Sequence, residues 1–261
     1  MGDDGGMHAQ REVESAELSA GAAGPPAAHP HPRITSFRSR RSTLTDNQQE
    51  VWDRLWSQLG TQARLSDRPA DRLDCETWFG RRAPVVCEIG CGTGTSTLAM
   101  AQEEPDVDVV AVEVYRRGLA QLLSAIDRTG VTNIRLVRGD AMDVLEHMFA
   151  PASLTGVRVF FPDPWPKSRH HKRRLLQSPT IALIADRLRP GGVLHAATDD
   201  AGYAAQIAEA GDAEPLLRRV SQDWVSQNGE LPISAYRPTT KYENKAHTAG
   251  SAVAELLWVR R

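Results

Sequence analysis

From Val85 onward, short apolar runs alternate with longer stretches whose apolar residues recur every three or four positions. Val85–Ile89, Val107–Val112, Asn133–Val137, Val157–Phe161 and Val193–Ala197 read as strands. Between them, Thr95–Glu103, Arg116–Arg128, a short stretch to Phe149, and Leu176–Leu188 read as helices, and Tyr203–Ala210 follows the last strand as another. Pro190-Gly191-Gly192 reads as the stop after Leu176–Leu188. Strands apolar along their whole length, joined by helices, pair in parallel and need cover on both faces. Leu216–Val220 and Ala252–Val259 add two strands, separated by a long excursion containing Tyr236–Glu243. The expectation is an α/β fold: one doubly wound, mostly parallel seven-stranded sheet with helices on both faces.

Upstream, Thr45-Asp46-Asn47-Gln48 has the form of a capping box. The helix behind it carries Val51, Trp52, Leu55, Trp56 and Leu59 on one stripe and stops at Gly60. Gln62–Pro84 is polar and loop-like, with a short turn around Cys75–Phe79. Residues 1–32 hold five acids and one arginine among Ala, Gly and Pro. They have too few large apolar side chains to offset ordering entropy and should be disordered. This divides the chain into a tail (1–32), a basic arm with a helical extension (33–84) and an α/β domain (85–261).

The net charge of −2 hides local asymmetry: Arg33–Arg41 and Lys167–Arg174 are basic with no acid inside them. Cys75, Cys87 and Cys91 are odd in number and lack Cys-x-x-Cys spacing, which argues against a disulfide framework or a zinc site. No apolar run approaches bilayer length, and the acid-bearing N-terminus does not read as a secretory signal. A soluble protein of the reducing cytoplasm fits, with no membrane partner and no metal.

Glu88-Ile89-Gly90-Cys91-Gly92-Thr93-Gly94 stands where the first core strand turns into its helix. Glycines there let backbone approach a ligand closely. A dinucleotide fingerprint needs G-x-G-x-x-G, and its third glycine position is Thr95. The acid two residues before Gly90 would also repel a pyrophosphate. The ligand expected is one with no phosphate and with an ammonium or sulfonium cation. Glu113 ends the second core strand, where a carboxylate can accept ribose hydroxyls. Asp140 follows the third, where it could meet an adenine edge, and Asp163 follows the fourth. Singly, each acid is well explained as a helix cap or a solvated loop acid. Four at successive strand ends form an array that resembles the class I S-adenosylmethionine-dependent methyltransferases.

Phe160-Phe161-Pro162-Asp163-Pro164-Trp165-Pro166-Lys167 carries three alternating prolines. Each fixes its own φ and disfavours the helical region for the residue before it. The loop should therefore be extended and stiff, with Asp163 held at little entropic cost. Lys167, Arg169, Lys172, Arg173 and Arg174 follow, with His170 and His171 among them and no acid before Asp186. A rigid carboxylate beside a basic run suits chemistry on a polyanion. The histidines fit that polyanion-binding face better than a catalytic role, and Trp165 suits either a stack on a ligand ring or a packed core.

This stretch, with the basic Ser-Phe-Arg-x-Arg-Arg arm, Gly139-Asp140-Ala141, Thr198-Asp199 and Arg237-Pro238-Thr239-Thr240-Lys241-Tyr242-Glu243, resembles the tRNA (guanine-N7)-methyltransferase family of the bacterial TrmB type. The motifs run in the family's order from about Ile34 to the C-terminus. Residues 1–32 lie outside the resemblance, and the insert around Arg64–Leu73 is longer than the family needs. The resemblance implies an antiparallel last strand and a methyl group moved from S-adenosylmethionine to guanine N7 in the tRNA variable loop, at position 46. It implies cofactor contacts at Glu88, Gly90, Gly92, Glu113, Asp140 and Asp163, with Asp163 also catalytic. It implies substrate contacts at Lys167, Asp199, Thr240, Lys241, Tyr242 and Glu243. Arg169, His170, His171, Lys172, Arg173 and Arg174 match its RNA-interacting stretch. Tyr242 stands where many members carry Phe, which keeps the aromatic face. A methyltransferase for another RNA, a protein or a small molecule is the alternative, as is a non-catalytic RNA-binding module. Thr95 speaks against a dehydrogenase, and monomer and homodimer both stay open.

Overall fold

Thr45 begins the first helix as the sequence predicts. Its hydroxyl accepts from the Gln48 N–H, and the Gln48 side chain accepts from the Thr45 N–H. The computed structural model describes residues 1–2, 35–37, 43–65, 68–221, 231–238 and 252–261. Ile34–Arg261 is one compact unit. Its elements begin with α1 (Asp46–Leu59), β1 (Gly60–Gln62), a small hairpin of β2 (Arg64–Leu65) and β3 (Arg68–Pro69), and α2 (Cys75–Phe79). The alternating core then runs β4 (Val85–Ile89), α3 (Thr95–Glu103), β5 (Asp108–Glu113), α4 (Arg116–Thr129) and β6 (Ile134–Arg138). It continues as α5 (Ala141–Asp143) with a π-helical turn (Val144–Met148), then β7 (Leu154–Phe160) and a 3-10 turn (Ser168–Arg173). Last come α6 (Ser178–Arg187), β8 (Leu188–Thr198), α7 (Ala201–Asp212), β9 (Leu217–Val220) and β10 (Ala254–Arg260).

The sheet order is β1-β6-β5-β4-β7-β8-β10-β9. The pairs from β1 to β8 are parallel, and β10 runs antiparallel to both β8 and β9. The doubly wound expectation therefore holds, with one strand more than the seven read from sequence. The extra strand is β1, which pairs with β6 through Gly60-Thr61-Gln62. A Gly-Thr-Gln triplet has no apolar alternation to announce it. The Pro190-Gly191-Gly192 stop is also corrected. It lies within β8 beside a register irregularity, with Gly191 at φ 78°.

The strands sort their side chains by alternation. Cys87, Ile89, Val110, Val112, Val157, Val159, Leu194 and Ala196 share a core with residues of α6 and α7. On the other face, Val109 and Ala111 pack with α1 and α4. Val86, Val193, Leu257 and Val259 pack beneath Ile233 on that same face. The helical extension is tied in by Arg54 on Asp127 and by Arg116 stacked over Trp52. Among the described residues no helix is long and apolar enough to cross a membrane.

The three cysteines are free. Burial pushes the Cys75 thiol up to about 11 and lifts Cys87 and Cys91 further. Raised thiol values mean little thiolate, the reacting form, at neutral pH. Ellman's reagent at pH 8 is expected to label native protein only slowly, with all three sites reacting after denaturation. Rapid labelling of native Cys87 or Cys91 would contradict this core.

Candidate active site

The winding of the sheet reverses between β4 and β7, and ligands of such sheets bind outside the strand ends at that point. A cleft with an empty volume of about 680 Å³, open mouth included, lies there. Gly90, Glu113, Gly139, Phe161 and Asp163 line it.

The glycine turn after β4 is built as the motif demands. Gly92 has φ 57°, a conformation that L side chains rarely adopt. Gly94, at φ 75°, starts α3 so close to α4 that a Cβ there would meet Leu122 at 2.5 Å. The third glycine thus serves helix packing one residue earlier than a dinucleotide fingerprint places it.

Glu113 is buried at the end of β5. Its Oε2 accepts from the Gly92 N–H (3.0 Å), and its Oε1 accepts from the Val114 and Tyr115 N–H groups (2.6 and 2.9 Å). Burial pushes its carboxyl above the usual range; these donors pull it back, and nearby Asp163 raises it again. A carboxylate has about four lone-pair sites, so three bonds leave room for one further donor on Oε2. Glu88 is buried one residue before cleft-lining Ile89, and its Oε2 finds no hydrogen-bond partner among the described residues. Burial raises its carboxyl, and the Arg158 charge beside it draws it part of the way down. An orphaned buried carboxylate oxygen, a backbone turn without Cβ atoms and one open lone pair on Glu113 fit a ligand carrying an ammonium and a ribose. Asp140 caps α5 by accepting from the Met142 N–H (3.0 Å), next to cleft-lining Gly139.

The proline-rich loop departs from expectation. Phe161 and Trp165 have φ of 50° and 45°, so it is not extended throughout. A following proline disfavours the right-handed helical region but leaves the left-handed one to be reached. Such a residue costs on the order of 1–3 kcal/mol, so neighbours must hold it. The Phe161 N–H donates to Ala197 in β8 (2.8 Å). Trp165 is buried at 4% exposure, with the Arg173 guanidinium 3.8 Å above its ring and its Nε1 donating to Ser36 (2.9 Å). Arg174 Nε donates to the Pro164 carbonyl (2.8 Å). Asp163 itself is exposed at the cleft.

The basic run divides. Lys167, Arg169 and Lys172 are exposed, and His170 and His171 are half-buried, His170 edge-on to Trp165. Arg173 spends its donors on the Thr35 and Phe37 carbonyls (3.0 and 2.8 Å), holding the arm whose Ser36 and Phe37 line the cleft. Arg174 corrects the RNA reading: it is buried at 5%, bonded to Pro164 and Gln206 and stacked over Tyr203. It buttresses the loop from inside. Asp199 is exposed just beyond β8. Thr240, Lys241, Tyr242 and Glu243 lie outside the described residues. Sequence reasoning missed Ser36 and Phe37 as cleft walls; the one aromatic in the basic arm was the available signal.

A doubly wound sheet, a glycine turn at its switch point and acids at the neighbouring strand ends define a class I S-adenosylmethionine-dependent methyltransferase. A family model described as "Putative methyltransferase" matches residues 82–256. A tRNA (guanine-N(7)-)-methyltransferase of Mycolicibacterium vanbaalenii is 66% identical over 99% of this chain and 98% of its own. That of Mycolicibacterium gilvum is 67% identical over 100% and 99%. Among solved structures, the 16S rRNA methyltransferase KamB gives a TM-score of 0.48 at 16% identity, covering 75% of this chain and 97% of that one. The chain belongs to the tRNA (guanine-N7)-methyltransferase family.

Proposed function

We propose that the protein methylates N7 of a guanine in the variable loop of tRNA, at position 46, with S-adenosylmethionine as donor. The observation that carries the reading is Asp163: a single exposed carboxylate at the cleft mouth, on a loop pinned at Phe161, Pro164 and Trp165 beside exposed cations. Glu88, Gly90, Gly92, Glu113, Asp140 and Asp163 would hold the donor, with Glu88 facing its ammonium group and Glu113 a ribose hydroxyl. When bound, S-adenosylmethionine supplies a methyl group on a sulfonium. Guanine N7 has an in-plane lone pair and carries no proton at neutral pH, so no general base is needed. The protein's task is alignment and electrostatics. Asp163 accepts from the guanine amino and imino edge and stabilises the positive charge that spreads over the purine. Lys167, Asp199, Thr240, Lys241, Tyr242 and Glu243 would frame the acceptor nucleotide. A variable-loop base must be drawn partly out of the tRNA core to reach the cleft. Such a substrate puts the enzyme's work in the cytoplasm.

The test is incubation with tRNA and methyl-labelled donor, followed by mapping of the modified nucleotide. One labelled 7-methylguanosine in the variable loop is expected. Label on another atom, or none in RNA, would overturn the reading.

The exposed cations give a separate prediction. Phosphate contacts release counterions, so each contributes about 0.7–0.9 to the slope of log affinity against log salt. Arg169→Ala with Lys172→Ala should weaken tRNA binding and reduce that slope by about 1.5. Filter binding across a salt series measures it, and an unchanged slope would remove both residues from the RNA contact.

A further inference from the structure

Leu231–Pro238 lies on the sheet face that carries Glu88, Arg158 and His195 as cross-strand neighbours. Ile233 fills the space that a Cβ at Gly156 would occupy. The Ser234 N–H donates to Glu104 Oε1 (2.6 Å). Arg237 then turns inward. Its side chain is 2% exposed, and its Nε donates to Glu255 Oε1 (3.0 Å) on β10. Its guanidinium carbon lies 5.0 Å from the Phe161 ring centre and 5.6 Å from that of Phe160. Phe160 meets His195 edge-on at 4.9 Å, and His195 Nε2 is 3.9 Å from Glu255 Oε2.

A buried arginine is a costly way to fill space; an apolar side chain does so without desolvating a charge. What the guanidinium adds is a planar cation on an aromatic face, fixed in orientation by a carboxylate. The face it meets is that of Phe161, the left-handed residue at φ 50° that precedes Pro162 and Asp163.

We propose that Arg237, anchored by Glu255, is a positioning residue for methyl transfer: it holds the Phe161 turn in the conformation that delivers Asp163 to the cleft. The proposal rests on the reading of Asp163 given above.

Single-turnover methyl transfer at saturating tRNA and cofactor tests it, using the full chain and rates normalised to active sites. Arg237→Lys keeps the charge and can reach Glu255 but loses the planar face; Arg237→Met keeps only the bulk. Rates are expected to fall about tenfold and about a hundredfold, the scale of an ångström's misplacement. The KM for tRNA and the affinity for S-adenosylhomocysteine should each stay within about threefold, because Arg237 is buried behind the Phe161 ring and is not itself among the residues lining the cleft. Phe161→Leu should slow the step too, and adding Arg237→Lys to it should cost little more, since both act through one contact. Unchanged rates, a loss confined to the tRNA KM, or additive losses would each overturn the proposal. Should Arg237→Met fail to fold, the Arg237→Lys and Phe161→Leu cycle decides alone. If wild-type protein forms no 7-methylguanosine, the functional reading fails. If wild type is active, Asp163→Ala is dead and Arg237→Met is fully active, only this proposal fails.

Discussion

Asp163→Ala is expected to slow methyl transfer by about 10²–10³-fold, the usual effect of removing one preorganised electrostatic group, while tRNA affinity changes no more than a few-fold. The side chain is exposed, so its removal leaves no cavity and no orphaned partner in the core. The loop that bears it is held elsewhere, by Ala197 on Phe161, Arg174 on Pro164, and Arg173 and Ser36 on Trp165. Loss of activity would therefore reflect the missing charge rather than a collapsed loop. Asp163→Asn sharpens the point, because it keeps an acceptor oxygen and loses the negative charge. If charge stabilisation dominates, Asn should lie much closer to Ala than to wild type; if hydrogen bonding dominates, closer to wild type. Glu113 gives a second readout: Asp163 raises its carboxyl, so cofactor-analogue binding in Asp163→Ala should keep its strength to slightly lower pH. Turnover of Asp163→Ala within a few-fold of wild type would end the role assigned to this residue.

The sheet and the turn were legible because they rest on periodicity and on backbone chemistry. Val85–Ile89 and Thr95–Glu103 fall at their expected bounds, since an apolar run followed by glycines leaves few alternatives. Thr45 was legible as a cap because the box is a local pattern. β1 was not, since its pairing with β6 is tertiary and its side chains carry no pattern. The loop at Phe161–Trp165 was half legible: proline chemistry says where φ will not go, while contacts from Ala197, Arg173 and Ser36 decide where it goes. A charge run cannot reveal which of its members turns inward, so Arg174 read as RNA-facing beside Lys172. Arg158 was hidden in the same way, as the one cation inside an apolar strand. The acids at the strand ends were legible as a set, but only the structure distinguishes buried Glu88, whose Oε2 lacks a hydrogen-bond partner among the described residues, from helix-capping Asp140.

Arg158→Met is expected to destabilise the fold by about 3–5 kcal/mol, because it leaves the buried Glu88 and the partly buried Glu104 without their cation. Arg158 has no exposed surface, pairs with Glu104 through Nη2 and stands directly across from Glu88 in the β4–β7 register. Methionine nearly fills the volume, so a cavity is not the cause. The sign of the pH dependence follows from Glu88. Its carboxyl is raised by burial, and Arg158 supplies the pull that limits the rise. A raised carboxyl binds its proton more tightly folded than unfolded, so its stabilising effect is complete below the unfolded value of about 4.3 and is lost as pH climbs through the folded one. Without Arg158 the folded value moves higher and the loss extends further. Urea unfolding should therefore show a smaller gap between variant and wild type at pH 5 than at pH 8. Glu104→Gln in the same background should recover part of the deficit, since the pair is coupled. A deficit below about 1 kcal/mol, or a gap that narrows as pH rises, would mean that Glu88 and Glu104 do not depend on this cation and that this part of the sheet is held by packing alone.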